Sequence, residues 1–138
     1  MGGGFHGGFG KKQDDRKIDF YVGPNGGVLP AKYKKWIGVN RRERLLKYAR
    51  NKKLRNAVMQ LYREGSFIGD GGTASILKFE KRTGLNTGRM GNSHYQKAVD
   101  MSKYLSNRVL KESLKKSERK MAAKLLKSLR KAIVEWEG

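Results

Sequence analysis

The chain contains no cysteine and only two prolines, and its acidic residues are few beside its basic ones. Without cysteine, the chain can form neither a disulfide nor a thiolate that binds metal or acts as a nucleophile. No apolar run approaches the ~20 residues that a membrane-spanning helix requires, so the sequence predicts no membrane insertion. Residues 1–10 are glycine-rich rather than apolar, which is unlike a secretory signal.

The 138 residues are enough for one domain with one hydrophobic core. Lys and Arg number 32 against 12 Asp and Glu, which gives a formal net charge of +20. Such a charge attracts polyanions, and nucleic acid is the leading partner because its binding releases condensed counterions. Acidic proteins and anionic membrane surfaces are weaker alternatives. The basic residues concentrate in 41–63 and 103–131, whereas ordinary solvated faces mix both signs.

Composition divides the chain into three parts. Residues 1–17 form a flexible leader of glycines and charged residues, and residues 18–38 read as a β-hairpin-like linker around a Pro-Asn-Gly turn. Residues 39–138 form the domain itself. The sequence therefore predicts a mainly α fold, with about four to five helices preceded by a short β-hairpin or linker. Met1 before the glycines favours a stand-alone or excised module.

The helices are predicted from apolar residues that recur with helical spacing. One helix follows Asn51 as its N-cap, with Gly65 beyond its end, and another spans residues 73–83 and is closed by Gly84. A third helix begins at Ser93 and carries Val109, with Ser93 and Gln96 forming a capping box. The last helix begins near Ser117.

The loop Gly69-Asp70-Gly71-Gly72-Thr73 leads into a predicted helix N-terminus. Free backbone N–H groups and the helix dipole favour an anion there, and Gly71 and Gly72 would let a phosphate approach the backbone. The Thr73 hydroxyl would add a donor. The simpler alternative is that Asp70 only caps the helix and the glycines only make the turn. The loop lacks the Gly-Lys-Thr ending of a Walker motif.

His94 is the only histidine outside the glycine-rich leader, and it is predicted at the first helical position after Ser93. A helix N-terminus disfavours imidazolium, so a neutral ring is available as a proton acceptor. RNA suits such a base, because the 2′-OH of a ribose is a nucleophile beside its own phosphodiester. Lys97, Arg82 and Arg89 are candidates to stabilise the phosphorane charge. The alternative is a surface histidine without a catalytic role.

Other chemistries receive less support from the sequence. A metal-dependent nuclease needs clustered carboxylates or histidines, and the helical part offers scattered acids such as Glu80 and Asp100. A Ser-His-Asp hydrolase would need a nucleophile-elbow motif, which is missing. DNA binding through a helix-turn-helix stays open, as does a non-catalytic nucleic-acid-binding protein.

Several segments resemble the C-terminal toxin domain of bacterial polymorphic toxins, in particular the tRNase type at the tips of contact-dependent inhibition effectors. The resemblance rests on Leu54–Arg63, Ile68–Ala74, Phe79–Gly84 and His94–Lys97, and Asp19–Gly26 is similar to the segment that joins such toxins to their delivery proteins. It covers roughly residues 18–136. The chain departs from the family pattern in its stronger positive charge and in Arg89 and Met90 before the histidine.

This resemblance implies a ribonuclease that cuts tRNA inside a competing bacterium, and the histidine chemistry described above predicts that it needs no metal or other cofactor. It also implies secretion or delivery into the target cytoplasm, neutralisation by an acidic immunity protein, and elongation factor Tu as a partner shared with some relatives. The catalytic residues carried over by position are Asp70, Thr73, Glu80, His94 and Lys97. The expected RNA or phosphate contacts are Gly71, Gly72, Arg82 and Arg89, together with Lys52, Lys53 and Arg55 in the first basic cluster.

Overall fold

The computed structural model describes residues 20–22 and 27–138, and within them the chain is mainly helical, as the sequence predicts. Two short strands precede the helices, β1 at Phe20–Val22 and β2 at Gly27–Leu29. They pair antiparallel, with Phe20 opposite Leu29. The predicted leader at residues 1–17 and the turn at 23–26 lie outside the described residues.

Five α-helices make up most of the described part of the chain: α1 at Arg42–Tyr48, α2 at Lys52–Leu61, α3 at Thr73–Thr83, α4 at Tyr95–Asn107 and α5 at Lys116–Glu137. Short 3-10 turns lie at Ala31–Trp36, Arg89–Gly91 and Val109–Lys111. The predicted N-cap of α2 is confirmed, because the Asn51 side chain accepts a hydrogen bond from the Leu54 amide at 3.0 Å. Gly84 ends α3 in the left-handed conformation, also as predicted.

The predicted start of α4 is wrong. The helix begins at Tyr95 with His94 as its N-cap, and no Ser93–Gln96 capping box forms. Gln96 instead donates a hydrogen bond to Asp100 one turn later. Two contacts fix the chain at this start: the Ser93 hydroxyl accepts from the Tyr95 amide at 3.2 Å, and the His94 backbone amide donates to the Glu80 carboxylate at 2.7 Å.

The later boundaries differ slightly from the predicted ones. Val109 lies beyond α4 in a 3-10 turn, although it is fully buried as a helix-core residue would be. The last helix begins at Lys116, one residue before the predicted Ser117. The carboxylate of Glu118 fixes this start, because it accepts hydrogen bonds from the backbone amides of Arg50 and Asn51 and from that of Lys115.

The main hydrophobic core is formed by the inner faces of α2, α4 and α5, with contributions from α1 and α3. The long helix α5 packs against both α3 and α4. A smaller cluster joins Ile68, Ile76 and Phe79 to Trp36 and Tyr33, whose rings meet Phe79 edge-on. The smaller cluster anchors the segment before α1 onto the start and middle of α3.

The loop between α2 and α3 is held against the segment that precedes α1. The Gly38 amide donates to the Phe67 carbonyl and the Gly69 amide donates to the Trp36 carbonyl, each at 2.7 Å. The backbones approach so closely that a Cβ on Gly38 would lie 2.1 Å from the Gly69 carbonyl oxygen. Asn40 secures the same loop by donating to the carbonyls of Arg63 and Ser66. The loop therefore has a fixed path past the end of α2.

Candidate active site

Glu80 organises the centre of the candidate site. It projects from α3, is 1 % exposed, and its carboxylate accepts hydrogen bonds from four groups. Three of these donors are the Thr87 amide at 2.9 Å, the Thr87 hydroxyl at 3.2 Å and the His94 amide at 2.7 Å. The fourth is His94 Nδ1, at 2.9 Å. One buried carboxylate thus clamps both ends of the 87–94 loop and satisfies its own acceptor capacity.

The Glu80 carboxylate also determines how the His94 ring is used. A carboxylate only accepts hydrogen bonds, so Nδ1 carries a proton and the neutral ring has its lone pair on Nε2. Nε2 makes no hydrogen bond to residues 30–138, and the ring, whose side chain is 19 % exposed, lines a cavity. A carboxylate that fixes the imidazole while the second nitrogen stays available is the arrangement that general bases use in unrelated hydrolases.

The cavity has a volume of about 300 Å³ and lies between the α2–α3 loop, the start of α3 and the 87–97 segment. Three cationic side chains line it with His94: Arg63, Arg89 and Lys97. The rest of the wall is mixed: it has hydroxyl and amide side chains, apolar side chains and two glycines, namely Ser66, Thr73, Thr87, Asn92, Ser93, Leu61, Ile68, Ile76, Gly71 and Gly88. A base and three cations around one cavity suit an anionic group that exchanges a proton.

Lys97 lies one turn after His94 on α4 and is half-buried. Burial, together with the positive charge of Arg63, lowers the pKa of Lys97 to about 8. No carboxylate among residues 30–138 forms an ion pair with it. Arg63 and Lys97 therefore line one cavity without an ion-pairing carboxylate among residues 30–138, and an incoming anion would relieve their repulsion.

This lowered pKa predicts a stability change in Lys97→Met. Below about pH 8 the folded state carries a poorly solvated ammonium, and this cost disappears as the pH rises from about 8 towards the unfolded value near 10.5. Lys97→Met is therefore expected to melt a few degrees above wild type at pH 7. The difference in melting temperature between the variant and wild type should be smaller at pH 10, as measured by thermal unfolding at both pH values. Lys103→Met, an exposed lysine on the same helix, is the control, and an equal effect there would contradict the account.

Asp70 serves the start of α3 rather than the cavity. Its carboxylate accepts hydrogen bonds from the Gly72 amide, the Ser75 hydroxyl and the Tyr62 hydroxyl. Burial and this carboxylate raise the pKa of Tyr62. The anion at this helix N-terminus is thus Asp70 itself, which is the simpler alternative considered from the sequence.

Of the other residues in the predicted phosphate loop, some line the cavity and some only support the turn. Thr73 is buried and its hydroxyl donates to the Leu61 carbonyl at 3.1 Å, although its side chain also lines the cavity. Gly71 lines the cavity in the left-handed conformation, which a side chain would strain. Gly72 packs beneath the Tyr62 ring, where a Cβ would meet ring atoms at 2.8 Å. These glycines shape the wall and the turn.

Most of the other predicted phosphate contacts lie away from the cavity. Arg82 forms a two-pronged ion pair with Glu135 of α5. Arg55 donates to the Leu46 and Ala49 carbonyls at the end of α1, and Lys53 pairs with Glu112 at 3.1 Å. Lys52 is exposed on the first turn of α2. Of the predicted cations, the structure brings Arg89 and Lys97 to His94.

The main residue that sequence reasoning missed is Arg63. It follows α2 and lines the same cavity as His94 only because the α2–α3 loop folds back, so its spacing in the chain gives no signal. Thr87 was also missed, and its role depends on a buried Glu80 rather than on a motif. The 89–91 turn adds an unexpected feature, because Met90 adopts a left-handed backbone (φ 56°) and is 98 % exposed.

Among residues 20–22 and 27–138, no helix has a stretch that is long and apolar enough to cross a membrane. Within the same residues, no three His, Asp or Glu side chains converge into a set that could hold a metal ion. In comparisons with protein-family models, curated proteins and solved structures, nothing matches the chain.

Proposed function

We propose that the chain is an endoribonuclease that cleaves RNA by attack of a ribose 2′-OH, without a metal ion. The observation that carries the proposal is the Glu80–His94 pair beside a cavity lined by Arg63, Arg89 and Lys97. A positioned imidazole supplies the base and the cations supply the charge stabilisation that this reaction needs. The net charge of +20 independently favours a polyanionic substrate.

The reaction assigns a role to each side chain. His94 Nε2 takes the proton of the 2′-OH, and the 2′-oxygen forms a bond to the adjacent phosphorus. The bond from phosphorus to the 5′-oxygen then breaks, and that oxygen takes a proton from the Lys97 ammonium. The products are a 2′,3′-cyclic phosphate and a 5′-hydroxyl. Arg63 and Arg89 stabilise the charge on the phosphoryl oxygens, and Glu80 positions His94 without touching the substrate.

The resemblance to polymorphic-toxin tRNases supplies the biological part of the proposal. We propose tRNA as the substrate, a target bacterium's cytoplasm as the place of action, and an acidic immunity protein that covers the cationic cavity. Opposite charge would speed that encounter. Elongation factor Tu is a further proposed partner. None of Asp70, Thr73, Gly71 and Gly72 is assigned a chemical step, because their contacts serve the loop.

The lowered pKa of Lys97 predicts an alkaline limit to cleavage. Deprotonation near pH 8 removes both a proton donor and a positive charge, so kcat/KM should fall about tenfold per pH unit above this value. Lys97→Arg should cleave more slowly, but its kcat/KM should not fall above pH 8, because a guanidinium stays protonated throughout this range. The measurement is kcat/KM between pH 6 and 10. If kcat/KM of Lys97→Arg falls above pH 8 as it does in wild type, the role of Lys97 is contradicted.

Expression in a bacterial host tests the biological proposal. Induction of wild type should arrest growth and yield RNA fragments whose sequenced ends cluster at defined tRNA positions, while induction of His94→Ala should do neither. Growth arrest by both proteins, without new RNA ends, would instead support the second candidate, a non-catalytic nucleic-acid-binding protein. That candidate is favoured by the charge excess, which extends far beyond the cavity.

A further inference from the structure

The carboxylates and the lysines of helix α5 differ in their contacts. Each of its three carboxylates binds another group: Glu118 accepts the backbone amides before α2, Glu135 pairs with Arg82, and Glu137 accepts the Tyr95 hydroxyl. Its five lysines make no such contacts with residues 30–138. They are Lys116, Lys120, Lys124, Lys127 and Lys131, here called the lysine ridge, and all are exposed.

The lysine ridge is a straight row. Consecutive members are three or four residues apart, so they share one face of the helix within about 80° and extend about 22 Å along it. None of them forms an ion pair or a side-chain hydrogen bond with residues 30–138. The ridge lysines are also separate from the cavity lining.

The row works against the stability of its own helix. Like charges three or four residues apart each cost about 0.2–0.5 kcal/mol, and the ridge contains four such neighbouring pairs. Mixed signs on an exposed face would remove this cost. Many other cations of the chain stabilise the fold, as Arg42, Arg55 and Arg119 do by binding backbone carbonyls. The ridge lysines have no such role.

We propose that the lysine ridge is a second binding site, separate from the cavity, for the phosphate backbone of double-stranded RNA. A regular line of charges about 22 Å long matches a polyanion whose charges also lie in a line, and each neutralised phosphate releases a counterion. Lysine suits this task because it contacts phosphate as a point charge without reading sequence. The inference extends the proposed function, because the ridge would hold folded RNA while the cavity acts on one strand.

The test is the salt dependence of binding to a 2′-O-methyl RNA hairpin, which lacks the reactive hydroxyl and is therefore not cut by the proposed chemistry. Conversion of all five ridge lysines to glutamine should lower the slope of log Kd against log salt by about 4. The control converts five exposed cations on other elements to glutamine: Lys34, Lys35, Arg44, Arg50 and Lys103. It removes the same charge and should change the slope by about 1 or less.

Equal slope changes in the two variants would overturn the inference, because net charge alone would then explain binding. An unchanged slope in the ridge variant would also overturn it. So would ridge-dependent binding to poly-glutamate or to phosphatidylserine vesicles without any effect on the RNA hairpin, since the ridge would then serve a protein or a membrane surface. If the ridge result holds while wild type fails to cleave any unmodified RNA, the proposed function fails and the ridge stands.

Discussion

Replacement of His94 by alanine is expected to reduce RNA cleavage by about 10³-fold or more while RNA binding changes little. General acid–base catalysis contributes about 10²–10⁴-fold. His94 is the proposed base, because it lines the cavity and its Nε2 makes no hydrogen bond to residues 30–138. The cationic side chains that bind the phosphate remain in the variant, so Kd should stay within about twofold. The measurement is kcat under single-turnover conditions, with Kd measured separately on 2′-O-methyl RNA.

Two controls separate this effect from damage to the fold. Gln96→Ala alters an exposed side chain in the first turn of the same helix and should cleave at the wild-type rate. Asp70→Asn should melt at a lower temperature, because it weakens three hydrogen bonds at the start of α3, yet each folded molecule should still cleave. If His94→Ala cleaves as fast as Gln96→Ala, the site is misassigned.

Replacement of Glu80 by glutamine is expected to lower cleavage by about 10²–10⁴-fold, as loss of the orienting carboxylate does in unrelated Asp-His hydrolases. The amide is nearly isosteric, but one of its two ends donates hydrogen bonds. If its NH₂ end takes the place of Oε1, it opposes the His94 amide; if it takes the place of Oε2, it opposes both the Thr87 amide and the Nδ1–H of the ring. In the second arrangement the amide donates to Nδ1, so the ring changes tautomer, which places a proton on Nε2 and removes the base.

A purely structural Glu80 would predict a different outcome. Nitrogen-15 NMR of the imidazole should show the Nδ1–H tautomer in neutral wild type and a mixture in Glu80→Gln. Thr87→Val removes one hydroxyl donor from the same carboxylate, and it should lower stability while the tautomer and kcat stay near wild type. If Glu80→Gln loses activity only in proportion to its unfolded fraction, with the tautomer unchanged, Glu80 has no positioning role.

The helices were predictable because their signals are local. The apolar spacing, the Asn51 cap and the Gly84 stop all act within a few residues, and the structure confirms them. The start of α4 was not predictable in the same way. Ser93 and Gln96 have the residue types of a capping box, but the Ser93 hydroxyl accepts from the Tyr95 amide and Gln96 donates to Asp100, while a buried Glu80 from another helix holds His94. A tertiary hydrogen bond here overrides a local preference.

The candidate site was predictable in part for the same reason. His94, Lys97 and Arg89 are near one another in sequence and meet in one cavity. Arg63 is distant in sequence and joins them through the α2–α3 loop. Residue type alone also misplaced several cations, because a guanidinium binds a helix end or a carboxylate as well as a phosphate. Arg55 and Arg82 do so here, and only the structure distinguishes these uses.

The most direct test of the account is the chemistry of the RNA ends produced by purified wild type in excess chelator. The account predicts fragments that end in a 2′,3′-cyclic phosphate and begin with a 5′-hydroxyl, and their absence with His94→Ala. Cleavage that requires a divalent cation and leaves a 5′-phosphate would contradict it, because attack would then come from water rather than from the 2′-OH. No cleavage of any RNA by wild type would contradict it as well.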